Sequence, residues 1–237
     1  MRNTECCPRL TPLLMGLVFC LPFYGCQKEG NLGYAPELDT PKAKLIFCNG
    51  TDLELSRTIY QYEDGKLVSE TSFVDENSSQ EKTYRYNANN QLVEEIYKDS
   101  VSNATTKTEF IYQGNLLVEE RYDWGGFTSY VYENGRKVKQ ISHTKAGDEH
   151  HITTYKYRGY LLIEERLETY FGELISIKKY HYDAKNRPTE IFDGEGRLIE
   201  ENIYSGNRLM EKRTYYFGID PGFYPCYGNY VYKYVYE

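Results

Sequence analysis

The chain has 237 residues with a formal net charge of −7, and it contains 26 tyrosines and 10 phenylalanines. The acidic balance argues against a nucleic-acid partner, since nucleic-acid-binding proteins need clustered Lys and Arg. The length fits one large β domain or two smaller ones. No segment has a sustained apolar stripe at helical spacing, whereas period-two alternation is common. These features predict an all-β protein.

Residues 1–25 have the layout of a bacterial lipoprotein signal peptide. Arg2 and Arg9 supply the positive charge, "LLMGLVFCLPF" is the apolar segment, and Gly25 is the small residue before Cys26. The apolar segment is much shorter than the roughly 18–20 residues of a membrane-spanning helix. We therefore expect cleavage after Gly25 and lipidation of Cys26. Ordinary secretion without a lipid is the alternative.

Residues 26–42 are polar and contain Pro36 and Pro41, so they predict a flexible tether between the lipid and a folded domain. Several acyl chains on Cys26 would anchor the protein firmly. The expected partner of this region is a membrane, through the lipid. The expected location is the bacterial cell envelope, at the outer membrane, facing either the periplasm or the surface.

Two cysteines remain in the predicted mature domain, Cys48 in the first strand and Cys226 near the C-terminus. In an oxidising envelope such a pair predicts a disulfide that ties the ends of the domain together. Two separate buried thiols are the alternative. A zinc site needs more ligands at closer spacing, and we expect none.

The segment "YQYEDGKLVSE" predicts a β-hairpin. Asp64-Gly65 is a typical type I′ turn sequence. That turn predicts the cross-strand pairs Glu63–Lys66, Tyr62–Leu67 and Gln61–Val68. The Tyr–Leu pair is an aromatic–aliphatic contact that stabilises a hairpin.

The same hairpin recurs along the chain. The same register predicts the pairs Tyr112–Leu117, Glu133–Arg136, Tyr157–Leu162 and Tyr204–Leu209. A second turn has three residues, at 88–90, 184–186 and 194–196, and ends in Asn or Gly, which tolerate a positive φ. Repeats of this size bury one another's faces. Residues 43–237 are therefore predicted to form an antiparallel up-and-down meander of roughly 16 strands, as a curved sheet or a closed barrel.

The segment "YHYDAKNRPTEIFDGEGRLIEENIYSGNRL" resembles the YD repeats of RHS-type proteins. The Tyr182-Asp183 pair and the Gly196-Arg197-Leu198 run carry the resemblance, and other copies match more loosely. With the signal peptide it points to the small repeat lipoproteins of Bacteroidetes. RHS repeats wind into a hollow β shell, so the resemblance also implies a purely structural shell element as one alternative function.

The predicted sheet does not have the apolar face of a transmembrane barrel. Such a barrel needs one continuous apolar band about 25 Å tall. Here the apolar residues cluster near the turns and the strands then become charged, as in "LLVEERYD" and "LLIEERLE". We expect the sheet to lie in water, with its tyrosine-rich face as the core.

Candidate catalytic and metal-binding groups are weak. In "GDEHH" the adjacent His150 and His151 should point to opposite faces of a strand, so we expect no metal site, even with His143 across the hairpin. No phosphate-binding loop, nucleophile elbow or Cys–His pair occurs. The sequence therefore predicts no cofactor and no enzymatic activity.

Paired acids in the repeats form the basis of the enzymatic alternative. Glu119-Glu120, Glu164-Glu165 and Glu200-Glu201 resemble the two carboxylates of a glycosidase. They recur with the repeat, whereas an active site occurs once. We expect solvated strand ends that face Lys or Arg, and a polysaccharide hydrolase remains the alternative.

Aromatic residues are the remaining functional indication. Trp124 is the only Trp of the chain and lies at a glycine turn beside Tyr122 and Phe127. Tyr and Trp rings stack on sugars and on peptides. We therefore predict a ligand-binding site at Trp124, Tyr122 and Phe127. The expected function is a non-enzymatic binding or scaffold module for a glycan or an envelope protein.

Overall fold

The computed structural model describes residues 39–48, 54–73, 78–215 and 229–236. The predicted signal peptide, Cys26, most of the tether and Cys226 lie outside these residues. Cys48 is disulfide-bonded, and its partner is not among the described residues. The pairing of Cys48 with Cys226 stays a prediction.

The described residues form sixteen β-strands. Their bounds are β1 (Ala43–Cys48), β2 (Glu54–Glu63), β3 (Lys66–Phe73), β4 (Ser79–Tyr86), β5 (Leu92–Asp99), β6 (Thr105–Gln113), β7 (Leu116–Tyr122), β8 (Phe127–Glu133), β9 (Arg136–His143), β10 (Glu149–Arg158), β11 (Leu161–Thr169), β12 (Leu174–Tyr182), β13 (Pro188–Asp193), β14 (Leu198–Ser205), β15 (Arg208–Thr214) and β16 (Tyr230–Val235). Within the part of the chain that the structure describes, no helix is long and apolar enough to cross a bilayer.

Each strand pairs antiparallel with its neighbours in sequence, and β16 pairs with both β15 and β1. The sheet therefore closes into a barrel. The predicted all-β meander is confirmed. Of the two predicted forms, curved sheet or closed barrel, the structure has the barrel.

The two ends of the barrel carry different connections between strands. The proximal end carries the start of β1, the end of β16 and the tight turns that follow β2, β4, β6, β8, β10, β12 and β14. The distal end carries the connections that follow β1 and the other odd-numbered strands. The predicted tether therefore joins the barrel at the proximal end, whereas Trp124 lies at the distal end.

The predicted hairpin register is confirmed near the turns and wrong beyond them. Tyr62 pairs with Leu67 as predicted, but Gln61 pairs with Ser69 because Val68 is the extra residue of a β-bulge. The other proximal hairpins shift at the same place. Positive φ angles at 64–65, Asn90, Asn186 and Gly196 confirm the predicted turns.

The two faces of the barrel wall differ in burial. In β2, Thr58 and Tyr60 are buried, whereas the alternate residues Arg57, Ile59 and Gln61 are exposed. Side chains converge on the concave side of a barrel, so the buried face is the inner face. Two apolar clusters form on it, around Leu92, Phe110 and Leu117 and around Leu162, Tyr180 and Ile191. The predicted tyrosine-rich core is this inner face.

A ring of tyrosines at the proximal end joins each hairpin to its neighbour. Tyr132 pairs with Lys137 in its own hairpin. Its hydroxyl donates a 2.8 Å hydrogen bond to the backbone carbonyl of Leu117 in the preceding hairpin. The same type of bond is donated by Tyr62, Tyr86, Tyr157, Tyr182, Tyr204 and Tyr236. This tyrosine girdle explains why each repeat has a tyrosine before its turn.

Basic residues reinforce the tyrosine girdle. The guanidinium carbon of Arg187 lies 4.4 Å from the ring centroid of Tyr204 in the next hairpin. Cations also cover girdle rings in the pairs Lys66–Tyr86, Arg136–Tyr157 and Arg208–Tyr236. Each such contact is worth about 0.5–1 kcal/mol at an exposed site. The residue after the turn therefore helps to bind one repeat to the next.

The outer face carries a series of ion pairs. Glu94 lies 3.0 Å from Arg85 and 2.6 Å from Lys107, on the two neighbouring strands. Cross-strand pairs of this kind recur as far as β14 and β15, where Glu201 lies 3.1 Å from Arg213. The outer face therefore carries charged pairs over much of the wall, beside exposed apolar side chains such as Ile59 and Val131.

Candidate functional site

The predicted binding residue Trp124 lies in the tight turn between β7 and β8. The backbone N–H of Tyr122 donates to the carbonyl of Gly126 at 3.0 Å, and that of Gly125 donates to the carbonyl of Tyr122 at 2.9 Å. Gly125 has a φ of 96°, which a residue with a side chain rarely adopts. The turn is therefore fixed by its own backbone.

The indole of Trp124 folds back over this turn. Its ring stacks on Tyr122 with centroids 5.5 Å apart and planes 6° apart. A Cβ atom on Gly126 would lie 1.7 Å from the indole, so only glycine leaves room for it. Trp124 nevertheless remains 58% exposed. The sequence therefore builds a fixed aromatic platform at the distal end.

Tyr122 holds this platform from the inner face of the wall. Its hydroxyl lies 2.9 Å from the hydroxyl of Thr128 and 3.3 Å from Glu120. Burial raises the pKa of Tyr122, so the phenol stays protonated near neutral pH. The ring below Trp124 is thus anchored at its far edge.

Phe127, the third predicted binding residue, is not part of the platform. It pairs with Arg121 and therefore lies on the outer face, whereas its neighbour Thr128 lies on the inner face with Tyr122. Its ring stacks on His143 at 4.2 Å. The structure therefore brings Trp124 and Tyr122 together and separates Phe127 from them.

Lys145, which sequence reasoning missed, lies against the turn that carries the platform. It is in the next distal turn, and its side chain crosses the backbone at Gly125, where a Cβ atom would lie 2.9 Å from the Lys145 Cγ. Lys145 is exposed. Its position in the sequence gave no signal, because only the folded turn shows which neighbour it covers.

The predicted opposite orientation of His150 and His151 is wrong. Their ring centroids are 3.8 Å apart. The ladder between β9 and β10 shifts between Glu149 and His151, and such a bulge breaks strict alternation. Among the described residues, no group of three or more His, Cys, Asp and Glu side chains is placed to hold a metal ion.

A second exposed apolar group lies at the tip between β11 and β12. Phe171 is 88% exposed and packs edge-on against Tyr170 with centroids 5.6 Å apart. The backbone N–H of Tyr170 donates to the carbonyl of His150, which ties this tip to the β9–β10 hairpin. The distal end therefore presents large apolar side chains on more than one turn.

The paired acids do not both face solvent, which corrects the prediction. Glu119 lies on the outer face with Arg121, whereas Glu120 lies on the inner face. Glu120 accepts a 2.6 Å hydrogen bond from Tyr130, and burial raises its pKa. Period-two alternation places the members of a pair on opposite sides of the wall.

The other acid pairs follow the same rule. Glu164 contacts Lys156 at 2.7 Å on the outer face, and its neighbour Glu165 lies on the inner face opposite Lys178. In the third pair the first acid, and not the second, faces inward. Glu200 is buried and contacts Lys212 at 3.0 Å. The inner wall thus holds a belt of acids and lysines that the repeat creates.

Comparison with known proteins supports the fold alone. No protein-family model and no curated protein matches the sequence, so the resemblance to YD repeats has no support from a family. Among solved structures, the chain is similar to a porin-like protein from Bacteroides uniformis ATCC 8492, with a TM-score of 0.56 and 8% identity. The match covers 85% of this chain and 99% of that chain. The protein is a 16-stranded β-barrel with a fold similar to that porin-like protein.

Proposed function

We propose that the protein is a lipid-anchored β-barrel of the bacterial outer membrane that binds a glycan at its distal end and has no catalytic activity. The observation that carries this proposal is the position of Trp124. Its ring is fixed on Tyr122, remains exposed, and lies at the opposite end of the barrel from the predicted tether. Sugar rings bind to fixed aromatic faces of this kind.

The charged side chains of the barrel wall favour a barrel whose outer face is exposed to solvent and whose lipid anchors it to the membrane. A transmembrane barrel has an outward apolar band about 25 Å tall. Here charged pairs such as Glu94 with Arg85 and Lys107 occupy the outward face. In this proposal the lipid on Cys26 makes the membrane contact and the wall does not.

The orientation of the barrel follows from the chain path. The tether enters at the proximal end, where Asp39 contacts Arg208 at 2.8 Å. A tether of about a dozen residues reaches roughly 40 Å. The distal end would therefore point away from the anchoring membrane, and Trp124 and Phe171 would meet material outside it.

The direct test is a glycan array probed with the full chain in mild detergent. Binding that is lost in the Trp124→Ala variant and kept in the Phe171→Ala variant would support the proposal. Binding that survives Trp124→Ala would place the sugar site elsewhere. If the wild type binds no sugar on the array, the glycan-binding proposal is rejected and an envelope protein becomes the favoured partner.

A polysaccharide hydrolase that uses the paired acids is the second candidate. The split of each pair between the two faces weighs against it, because both carboxylates must reach one glycosidic bond. Single Glu→Gln changes at Glu119, Glu164 and Glu200 test it. An enzyme would lose sugar release at one of these positions, whereas a binding module would release no sugar in any variant or in the wild type.

A further inference from the structure

We infer that the ligand of the distal turn is an acidic sugar, a hexuronate unit, whose ring stacks on Trp124 and whose carboxylate pairs with Lys145. This inference rests on the proposed glycan-binding function and names the class of sugar. It depends on two neighbouring glycines that let two different side chains lie against one turn.

The first half of the site is the indole. One face of Trp124 stacks on Tyr122 at 5.5 Å, and the residue is still 58% exposed. The indole also lies against the backbone at Gly126, in space that a Cβ atom there would occupy. A ring that is already ordered loses little conformational freedom when a sugar binds.

The second half is a cation on the same turn. The Lys145 side chain covers Gly125, the residue next to the glycine that Trp124 covers. Lys145 is exposed. Its ammonium forms no ion pair with any acid among the described residues. Asp123, the nearest acid in sequence to Trp124, already accepts a 2.8 Å hydrogen bond from the backbone N–H of Lys107.

An exposed aromatic face and a cation on the same turn suit one ligand chemistry. A neutral sugar could use only the ring, whereas a hexuronate offers both a sugar face and a carboxylate. A charge-assisted hydrogen bond from an ammonium to a carboxylate is about twice as strong as a neutral one. Lys145 would therefore discriminate between sugars that Trp124 alone accepts.

The test compares hexuronate oligosaccharides with their carboxyl-reduced, neutral counterparts. The full chain in mild detergent is titrated with glucuronate, galacturonate and mannuronate oligomers and with each reduced partner. The variants are Lys145→Met and Trp124→Ala. Lys185→Met is the control, since Lys185 lies in a proximal turn at the other end of the barrel.

We expect the wild type to prefer at least one acidic oligomer over its reduced partner. Lys145→Met should weaken that binding about tenfold and leave the reduced partner unchanged. Trp124→Ala should abolish both, and Lys185→Met should change neither. Equal binding of acidic and reduced forms, or no effect of Lys145→Met, would overturn the inference while the glycan-binding function stands. If the wild type binds none of these sugars, both this inference and the proposed glycan-binding function are overturned.

Discussion

The hydroxyl of Tyr132 donates a 2.8 Å hydrogen bond to the backbone carbonyl of Leu117, and this bond joins two successive repeats. Tyr86, Tyr157 and Tyr182, each before its own proximal turn, make the same bond, so the girdle is a repeated inter-repeat contact. The repeated hairpin is therefore explained by assembly, because each unit supplies both the donor for one neighbour and the acceptor for the other.

Tyr132→Phe should lower the free energy of unfolding by about 1 kcal/mol, since it removes one hydrogen bond and keeps the ring. Chemical denaturation measures this change. Tyr170→Phe is the matched control, because Tyr170 lies exposed on a distal tip. An equal effect of the two changes would contradict the assigned role of the girdle.

Leu117→Ala should cost about 2–5 kcal/mol, because Leu117 is only 2% exposed and its loss leaves a cavity among the girdle rings. Leu174→Ala removes the same atoms from an exposed position and should cost much less. Thermal and chemical unfolding of both variants test this difference. Similar losses would show that burial at Leu117 does not decide stability.

The stability of the Glu120→Gln variant, relative to that of the wild type, should increase as the pH rises. Burial raises the pKa of Glu120 above its ordinary value of 4.5, so the folded protein retains a proton that the unfolded chain has released. Wild-type stability therefore falls as the pH rises from about 4.5 through the raised pKa, and the Gln variant lacks this loss. The measurement is the Tm difference between variant and wild type at about pH 4 and about pH 7. Glu119→Gln, on the outer face, is the control, and a pH-independent difference for Glu120→Gln would refute the assignment.

Glu94→Gln should have the opposite pH dependence. Hydrogen bonds from Arg85 and Lys107 lower the pKa of Glu94 from 4.5 to about 2. The stabilisation is complete above the unfolded value and is lost as the pH falls through about 2. Acid titrations of Tm should therefore show wild type and variant converging at low pH. Glu133→Gln, at an exposed site on the same face, is the control.

Gly126→Ala should move the indole off Tyr122, because the new methyl group would occupy its position. Trp124 is the only Trp in the chain, so fluorescence excited selectively at tryptophan, and not at the 26 tyrosines, reports on this turn alone. We expect a change in emission intensity and wavelength. Gly194→Ala is the control, since its Cβ would lie an ordinary 3.4 Å from Ile177. Unchanged emission in Gly126→Ala would show that the platform is not held as described.

The sequence predicted the features that depend on local chemistry. The Tyr62–Leu67 register follows from the Asp64-Gly65 turn, and it is observed. The bulge at Val68 was missed because its apolar side chain fits either register. Closure depends on β1 meeting β16, and local sequence pattern carries no signal for a contact between strands so far apart in the chain.

The candidate site was predicted only in part. A lone Trp at a glycine turn was enough to single out Trp124, and the alternation of strands could have shown that Phe127 faces away from Tyr122. The same alternation could have placed Glu120 inside the wall. Lys145 could not have been found, since it comes from another hairpin.

The pairing of β16 with β1 makes the last strand of the chain the one that completes the wall. Before β16 is made, β1 and β15 are both edge strands with unpaired backbone groups. Such edges can pair with other chains. The barrel can therefore protect itself only after β16 has been made and paired. A chain cut short before Tyr230 would remain an open sheet that is prone to proteolysis and aggregation, so closure also serves as a check that β16 is present.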